Sequence, residues 1–149
     1  MPPGSLGFDA LVVLEYINYL RSLEGSPPLV WNTDLAATAA AWAKDAPYYG
    51  HGGTGGSAQN IGMASAFDSA QNGIIGILGR MYYDEKGAAA AAGVSPRTDG
   101  CGGRCSLNRI IHEAGHFCLL MDPCASRIGS GIAPASWDAN ALFGVIGIN

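Results

Sequence analysis

The chain has 149 residues, 48% of them hydrophobic and only 13% charged, so it can bury one substantial core and is too apolar to remain disordered. Its net charge of −4 leaves no broad basic surface, which excludes nucleic acid as a partner, and no apolar run reaches the roughly 20 residues that span a bilayer. We therefore expect one domain over residues 1–149, with residues 1–6 as a flexible or cloning-derived N-terminus.

Two helices are predicted at the start of the chain. The first runs from about Phe8 to Leu23 and is ended by Gly25 and two prolines. Its apolar side chains recur at i, i+4 and i+7 on one helical face, at Val13, Ile17 and Leu20. The second helix begins at Thr33 or Asp34, either of which can cap it, and continues through an alanine-rich stretch to Asp45.

The middle of the chain is predicted to contain a loop, a strand and a third helix. Residues 50–57 include five glycines, which indicates a loop, and this loop carries His51. A short strand follows from Gln59 to Ala64. Asp68 or Ser69 then caps a helix that reaches Lys86.

The last third of the chain is predicted to contain one helix and a strand pair. Ser106 caps a helix from Leu107 to Met121, which Asp122-Pro123 ends. Strands Arg127–Ala133 and Ala141–Ile148 then form an antiparallel pair. The order helix, helix, strand, helix, helix, strand, strand predicts an α/β sandwich with a small antiparallel sheet between helices.

The four cysteines suit an oxidising compartment, since an even number of them can pair completely. Three pairings are open. We favour Cys101–Cys105 with Cys118–Cys124, because the short loops between these residues can fold back on themselves. Free buried thiols are one alternative, and a four-cysteine zinc site, whose second spacing is wider than usual, is another.

Five motifs follow one another along the chain: N-x-x-R-x-x-x-G-x-P-P-L-x-W at 18–31, an L-A…W-A stretch at 35–43, His51 followed by Gln59-Asn60-Ile61, M-Y-Y-D-E-K at 81–86, and G-H-F at 115–117. In this order they resemble the CAP/SCP superfamily of cysteine-rich secretory, pathogenesis-related and sperm-coating proteins, with bacterial-type features after residue 120. The resemblance implies a three-layer α-β-α sandwich with a small, mainly antiparallel sheet. It also implies an extracellular protein, whose signal peptide we expect to lie outside this sequence.

The resemblance further implies a central cleft in which two histidines face two acidic residues, and in which some members bind a divalent metal. The matching residues here are His51, Gln59 in place of the usual Glu, Glu85 and His116. Our hypothesis is a weak site for zinc or another divalent transition metal on His51 and His116. Glu85 would hold one imidazole or accept from bound water, and Gln59 would orient the other. The alternative is a metal-free, hydrogen-bonded quartet.

A second metal pattern overlaps the first. His112-Glu113-Ala114-Gly115-His116 spells H-E-x-x-H, in which two histidines bind zinc and the glutamate acts as general base of a peptidase. A zinc peptidase also needs a third ligand, and no histidine follows His116. In the non-catalytic interpretation, Glu113 is a carboxylate lining the same cleft.

Other catalytic patterns are absent from the sequence, since no serine lies in G-x-S-x-G and no phosphate-binding loop follows the glycines. We therefore expect a non-catalytic, extracellular binding module for a small molecule, lipid, glycan or protein. The competing hypothesis is the zinc hydrolase built on Glu113.

Overall fold

In the computed structural model of the protein, residues 9–53, 58–96 and 111–149 are described, with side chains from residue 114 onward in the last range. They form helices on both faces of a four-stranded sheet. In chain order the elements are α1 (Ala10–Leu23), β1 (Val30–Trp31), α2 (Thr33–Asp45), β2 (Ala58–Ser65), α3 (Ala70–Ala91), α4 (Ile111–Leu120), β3 (Arg127–Pro134) and β4 (Ala141–Ile148). The predicted residues 1–6 segment lies outside the described residues.

Side-chain caps set where the first three helices begin. At the start of α1, the Asp9 side chain accepts from the N–H of Leu11. At the start of α3 the cap is Ser69, one of the two predicted positions, and its side chain accepts from the N–H of Asn72. In α2 the cap is Asn32, not Thr33 or Asp34, because the Asn32 side chain accepts from the N–H of Leu35 at 2.9 Å. Helix α3 also continues past Lys86, since the alanines that follow have high helix propensity.

The sheet has the strand order β1-β3-β4-β2. Strand β1 is parallel to β3, and the other two pairs are antiparallel. The sequence analysis did not find β1, which has only two residues and pairs with a strand far along the chain. Strand β2 pairs with β4 along its full length from Ala58 to Ser65 and forms one edge of the sheet. This edge position brings β2 to the functional site.

The helices lie in two layers, which confirms the predicted three-layer sandwich. Helix α2 covers one face of the sheet, where Ala39 and Ala43 pack with Phe143 and Val145. Helices α1, α3 and α4 cover the other face and form the larger core. Buried side chains from the three helices, including Ile17, Leu78 and Phe117, form one cluster there with Ile132 and Ile146 of the sheet.

The described part of α4 runs from Ile111, so the predicted start at Leu107 with a Ser106 cap lies outside the described residues. The helix is also not continuous. Ala114 has φ −140° and ψ 18°, which divides it into two helical segments and which the sequence analysis did not predict.

Cys101 and Cys105 lie outside the described residues, so the favoured disulfide pairing stays a prediction. The described part of the chain contains no free cysteine. Within the same ranges, every helix falls short of the length or the apolarity that a bilayer crossing requires.

Candidate functional site

Two neighbouring clefts lie along strand β2. The first, of about 270 Å³, is lined by Ala58, Gln59 and Asn60 of β2 together with His51 and His116. The second, of about 240 Å³, continues past Ile61, Gly62 and Met63, where its far wall is formed by α3. His116 lines both clefts. The structure therefore places His51, Gln59, Glu85 and His116 around two adjoining clefts.

On the loop side of the groove, His51 is held by Gln59. The Nδ1 atom of His51 lies 3.0 Å from Oε1 of Gln59. The Gly52 N–H donates to the same oxygen at 3.2 Å, and the Gln59 side-chain Nε2 donates to the Gly52 carbonyl at 2.9 Å. These two bonds fix which end of the Gln59 amide faces the ring, so Nδ1 of His51 must be the protonated nitrogen.

On the helix side of the groove, His116 is held by Glu85. The Nδ1 atom of His116 lies 2.6 Å from Oε2 of Glu85. The other carboxylate oxygen accepts from the backbone N–H groups of His116, at 2.9 Å, and of Phe117, at 3.1 Å. Both N–H groups follow the break at Ala114, where a new helical segment leaves them without helical partners. Glu85 therefore caps this segment and orients its histidine at once.

Asn60 is a site residue that the sequence analysis did not select. It is buried on β2, and its Nδ2 donates to the carbonyl of His116 at 3.0 Å. This bond fixes the helix of His116 to the edge of the sheet. An amide directly before the apolar Ile61 of this strand was the signal that could have identified it, because a buried polar group needs a hydrogen-bond partner.

The second cleft is also lined by polar residues that the sequence analysis did not predict as site residues. Tyr49 lies on one wall, where partial burial raises the pKa of its hydroxyl. Arg80 and Asp84 lie one helical turn apart on the opposite wall, and both are exposed. The sequence signal for their position is that Arg80 and Asp84 are spaced i, i+4 on the predicted helix that carries Glu85, so they share one helical face.

The sequence profile of the cysteine-rich secretory protein (CAP) family matches residues 14–145 of the chain. The chain belongs to the CAP family. No curated protein matches the sequence.

Three solved structures are similar in fold to this chain. MpPR-1i soaked with selenourea is 19% identical with a TM-score of 0.58, covering 95% of this chain and 94% of that one. NaASP2 with Zn²⁺ is 17% identical with a TM-score of 0.56, covering 96% and 81%. Venom allergen-like protein 4 from Schistosoma mansoni is 16% identical with a TM-score of 0.55, covering 99% and 88%. At these identities the likeness shows the fold alone.

The donors of this CAP cleft fit a metal only in part. With Nδ1 of each histidine engaged, Nε2 of His51 and of His116 is the ring nitrogen that could bind a ligand, and no described residue hydrogen-bonds to it. However, no group of three or more His, Cys, Asp or Glu residues in the described ranges is arranged to hold an ion. The residues present therefore fit a weak site at most, completed by solvent.

The H-E-x-x-H alternative assumed that His112 and His116 share one face of a regular helix. The non-helical Ala114 lies between them, so the i, i+4 relation that this motif needs does not hold in the usual way. The side chains of His112 and Glu113 lie outside the described residues, and their role stays a prediction.

Proposed function

We propose that this CAP domain is an extracellular, non-catalytic binding module. Its cleft would hold a divalent transition metal, such as zinc, weakly between His51 and His116. A small molecule, lipid, glycan or protein would then be recognised at and around that position. The extracellular location is the one typical of CAP domains, and the cysteine content suits it.

The hydrogen bonds to the two imidazoles carry this proposal. Metal-binding histidines commonly donate their second ring N–H to a carboxylate or carbonyl, which orients the ring and makes the free nitrogen more basic. His116 has this arrangement with Glu85, and His51 has it with Gln59. Only one of these partners is charged, so we expect lower affinity than for a site with two carboxylates.

The experiment is zinc titration by calorimetry. We expect one weakly bound zinc per chain, and a loss of affinity of at least tenfold, about 1.4 kcal/mol, for His51→Ala and for His116→Ala. His116 is a zinc ligand in both the cleft site and the H-E-x-x-H alternative. Substitutions of His51 and of His112 therefore distinguish the two hypotheses.

His112→Ala is the matched control. It should leave zinc affinity unchanged in a binding module and abolish it in a zinc peptidase, where Glu113→Gln would also remove peptide hydrolysis. Equal heats for the wild type and the His51→Ala, His116→Ala double variant would show that the cleft is a metal-free hydrogen-bonded network.

A further inference from the structure

The floor of the site is the edge of a β-sheet. Among the described strands, β2 pairs with β4 alone, and its other side faces the two clefts. We call these two clefts, which follow β2 from Ala58 to Met63, the β2 groove. Six strand residues extend over about 20 Å, the length of an extended peptide of the same size. Edge strands present backbone groups that can pair with another chain.

Two carbonyl groups of β2 point into this groove. The Ile61 carbonyl accepts from the Tyr49 hydroxyl at 3.3 Å, and the Met63 carbonyl accepts from Nη2 of Arg80 at 2.5 Å. Neither donor belongs to β4, so Ile61 and Met63 occupy the positions of the ladder that exchange no bonds with that strand. The N–H groups of the same residues therefore face the groove as well.

We propose that the β2 groove binds an extended peptide as an additional strand beside β2, with an acidic side chain opposite Arg80. An incoming peptide N–H would replace the Arg80 guanidinium as the donor to the Met63 carbonyl. The peptide would gain main-chain hydrogen bonds, as in other cases of strand addition. Its binding does not require the metal of the proposed function.

The charges of the groove define the side chain that fits. Among the described residues Arg80 forms no ion pair, and its one hydrogen bond is the bond to Met63. Once displaced, its guanidinium is available to a peptide carboxylate in bidentate geometry. Glu85 is occupied by His116 and Phe117, whereas Asp84 lies one turn from Arg80 and would repel an acid placed beside it. An acidic residue is thus favoured at one position only.

The test is selection from a random ten-residue peptide library displayed on phage, against the immobilised full chain in buffer with a metal chelator. We expect enriched peptides that carry one Asp or Glu. Synthetic copies should bind Met63→Pro at least tenfold more weakly than the wild type. Proline at this position removes the N–H that faces the groove and leaves the ladder with β4 intact.

Ser65→Pro is the matched control. Ser65 lies two residues after Met63, so its N–H also points away from β4, but it does not line the groove. The affinity of Ser65→Pro for the peptides should differ from that of the wild type by less than twofold. Arg80→Gln should abolish the preference for Asp or Glu over the corresponding amide. N-methylation of the peptide at alternate residues, tested on the wild-type chain, should block binding at one parity only. Absence of enrichment, equal affinity for Met63→Pro, or equal effects of both N-methylation parities would each overturn the proposal. Because the chelator removes zinc, these outcomes are independent of the zinc titration.

Discussion

At the scale of single residues, Glu85 joins α3 to both the side chain and the backbone of α4. Its carboxylate accepts from the ring of His116 and from two backbone N–H groups, and its side chain is only 18% exposed. The N-terminal end of a helical segment carries partial positive charge, which a carboxylate stabilises. The break at Ala114 creates this end, and Glu85 supplies the acceptor that the broken segment lacks.

Glu85→Ala should therefore lower the free energy of unfolding by about 1–3 kcal/mol, since it leaves the N–H groups of His116 and Phe117 without acceptors. Asp84→Ala is the control on the same helix, where an exposed carboxylate should matter by less than about 0.5 kcal/mol. Urea denaturation at neutral pH measures both. Equal midpoints for the two variants would show that Glu85 does not cap the segment.

The sequence motifs led to Glu85 and His116 as partners, but not to how they meet. The sequence analysis assigned one regular helix to this region because nothing in Ala114-Gly115 marks a break strongly. The departure of Ala114 from helical geometry is compensated by a carboxylate from another helix, which local sequence does not reveal. Gln59 was easier to anticipate, since a neutral amide beside a histidine has few uses other than orienting it.

At the scale of elements, α1 is joined to the C-terminal end of α4 by one side chain. Arg21 is completely buried, and its guanidinium donates to the carbonyls of Leu120 at 2.5 Å and Asp122 at 3.0 Å, while Nε donates to Pro27 at 2.7 Å. Burial lowers the pKa of Arg21 to about 10, and nearby Asp122 opposes that shift, so the group stays charged at neutral pH. The planar fork thus satisfies carbonyls from two parts of the chain.

We expect Arg21→Lys to lower the free energy of unfolding by about 2–4 kcal/mol, although it keeps the charge. A single ammonium group cannot reach all of these carbonyls, and each buried acceptor left without a donor costs about 1–3 kcal/mol. Arg127→Lys, at an exposed arginine that bonds to the side chain of Asn149, should cost less than about 0.5 kcal/mol. Thermal unfolding compares the two, and a similar loss of stability for both would contradict this role of Arg21.

Most elements could be predicted from local signals, because apolar periodicity and cap residues act within a few positions of the helix they define. The spans of α1, β2, β3 and β4 differ from prediction by two residues or fewer at each end. Strand β1 could not be predicted, since two residues carry no periodicity and their partner strand supplies the pairing. The cap of α2 was misplaced by one or two positions, because Asn32, Thr33 and Asp34 are all suitable capping residues.

At the scale of the whole molecule, the approach of α2 to the sheet depends on glycines in β3. A Cβ atom at Gly131 would lie 2.6 Å from the backbone nitrogen of Ala40, and one at Gly129 would lie 2.6 Å from the carbonyl carbon of Leu35. The helix backbone therefore rests almost directly on the strand. The residues of α2 at this contact, such as Ala36 and Ala40, are also small, so neither side holds the two backbones apart. The small-residue pattern was visible in the sequence, but the element it would face was not.

Gly131→Ala should lower the free energy of unfolding by about 2–3 kcal/mol, because the added methyl group meets helix backbone and cannot be relieved by a side-chain rotation. The matched change is Gly87→Ala in α3, where a new Cβ meets nothing within 4 Å. There, alanine should raise stability by up to about 1 kcal/mol, since it is the better helix former. Urea denaturation of both variants gives opposite signs if the two helix layers are packed as described. A neutral or stabilising Gly131→Ala would mean that α2 can move away from β3 without a loss of stability, so that close contact between the two backbones would not be what holds this helix layer on the sheet.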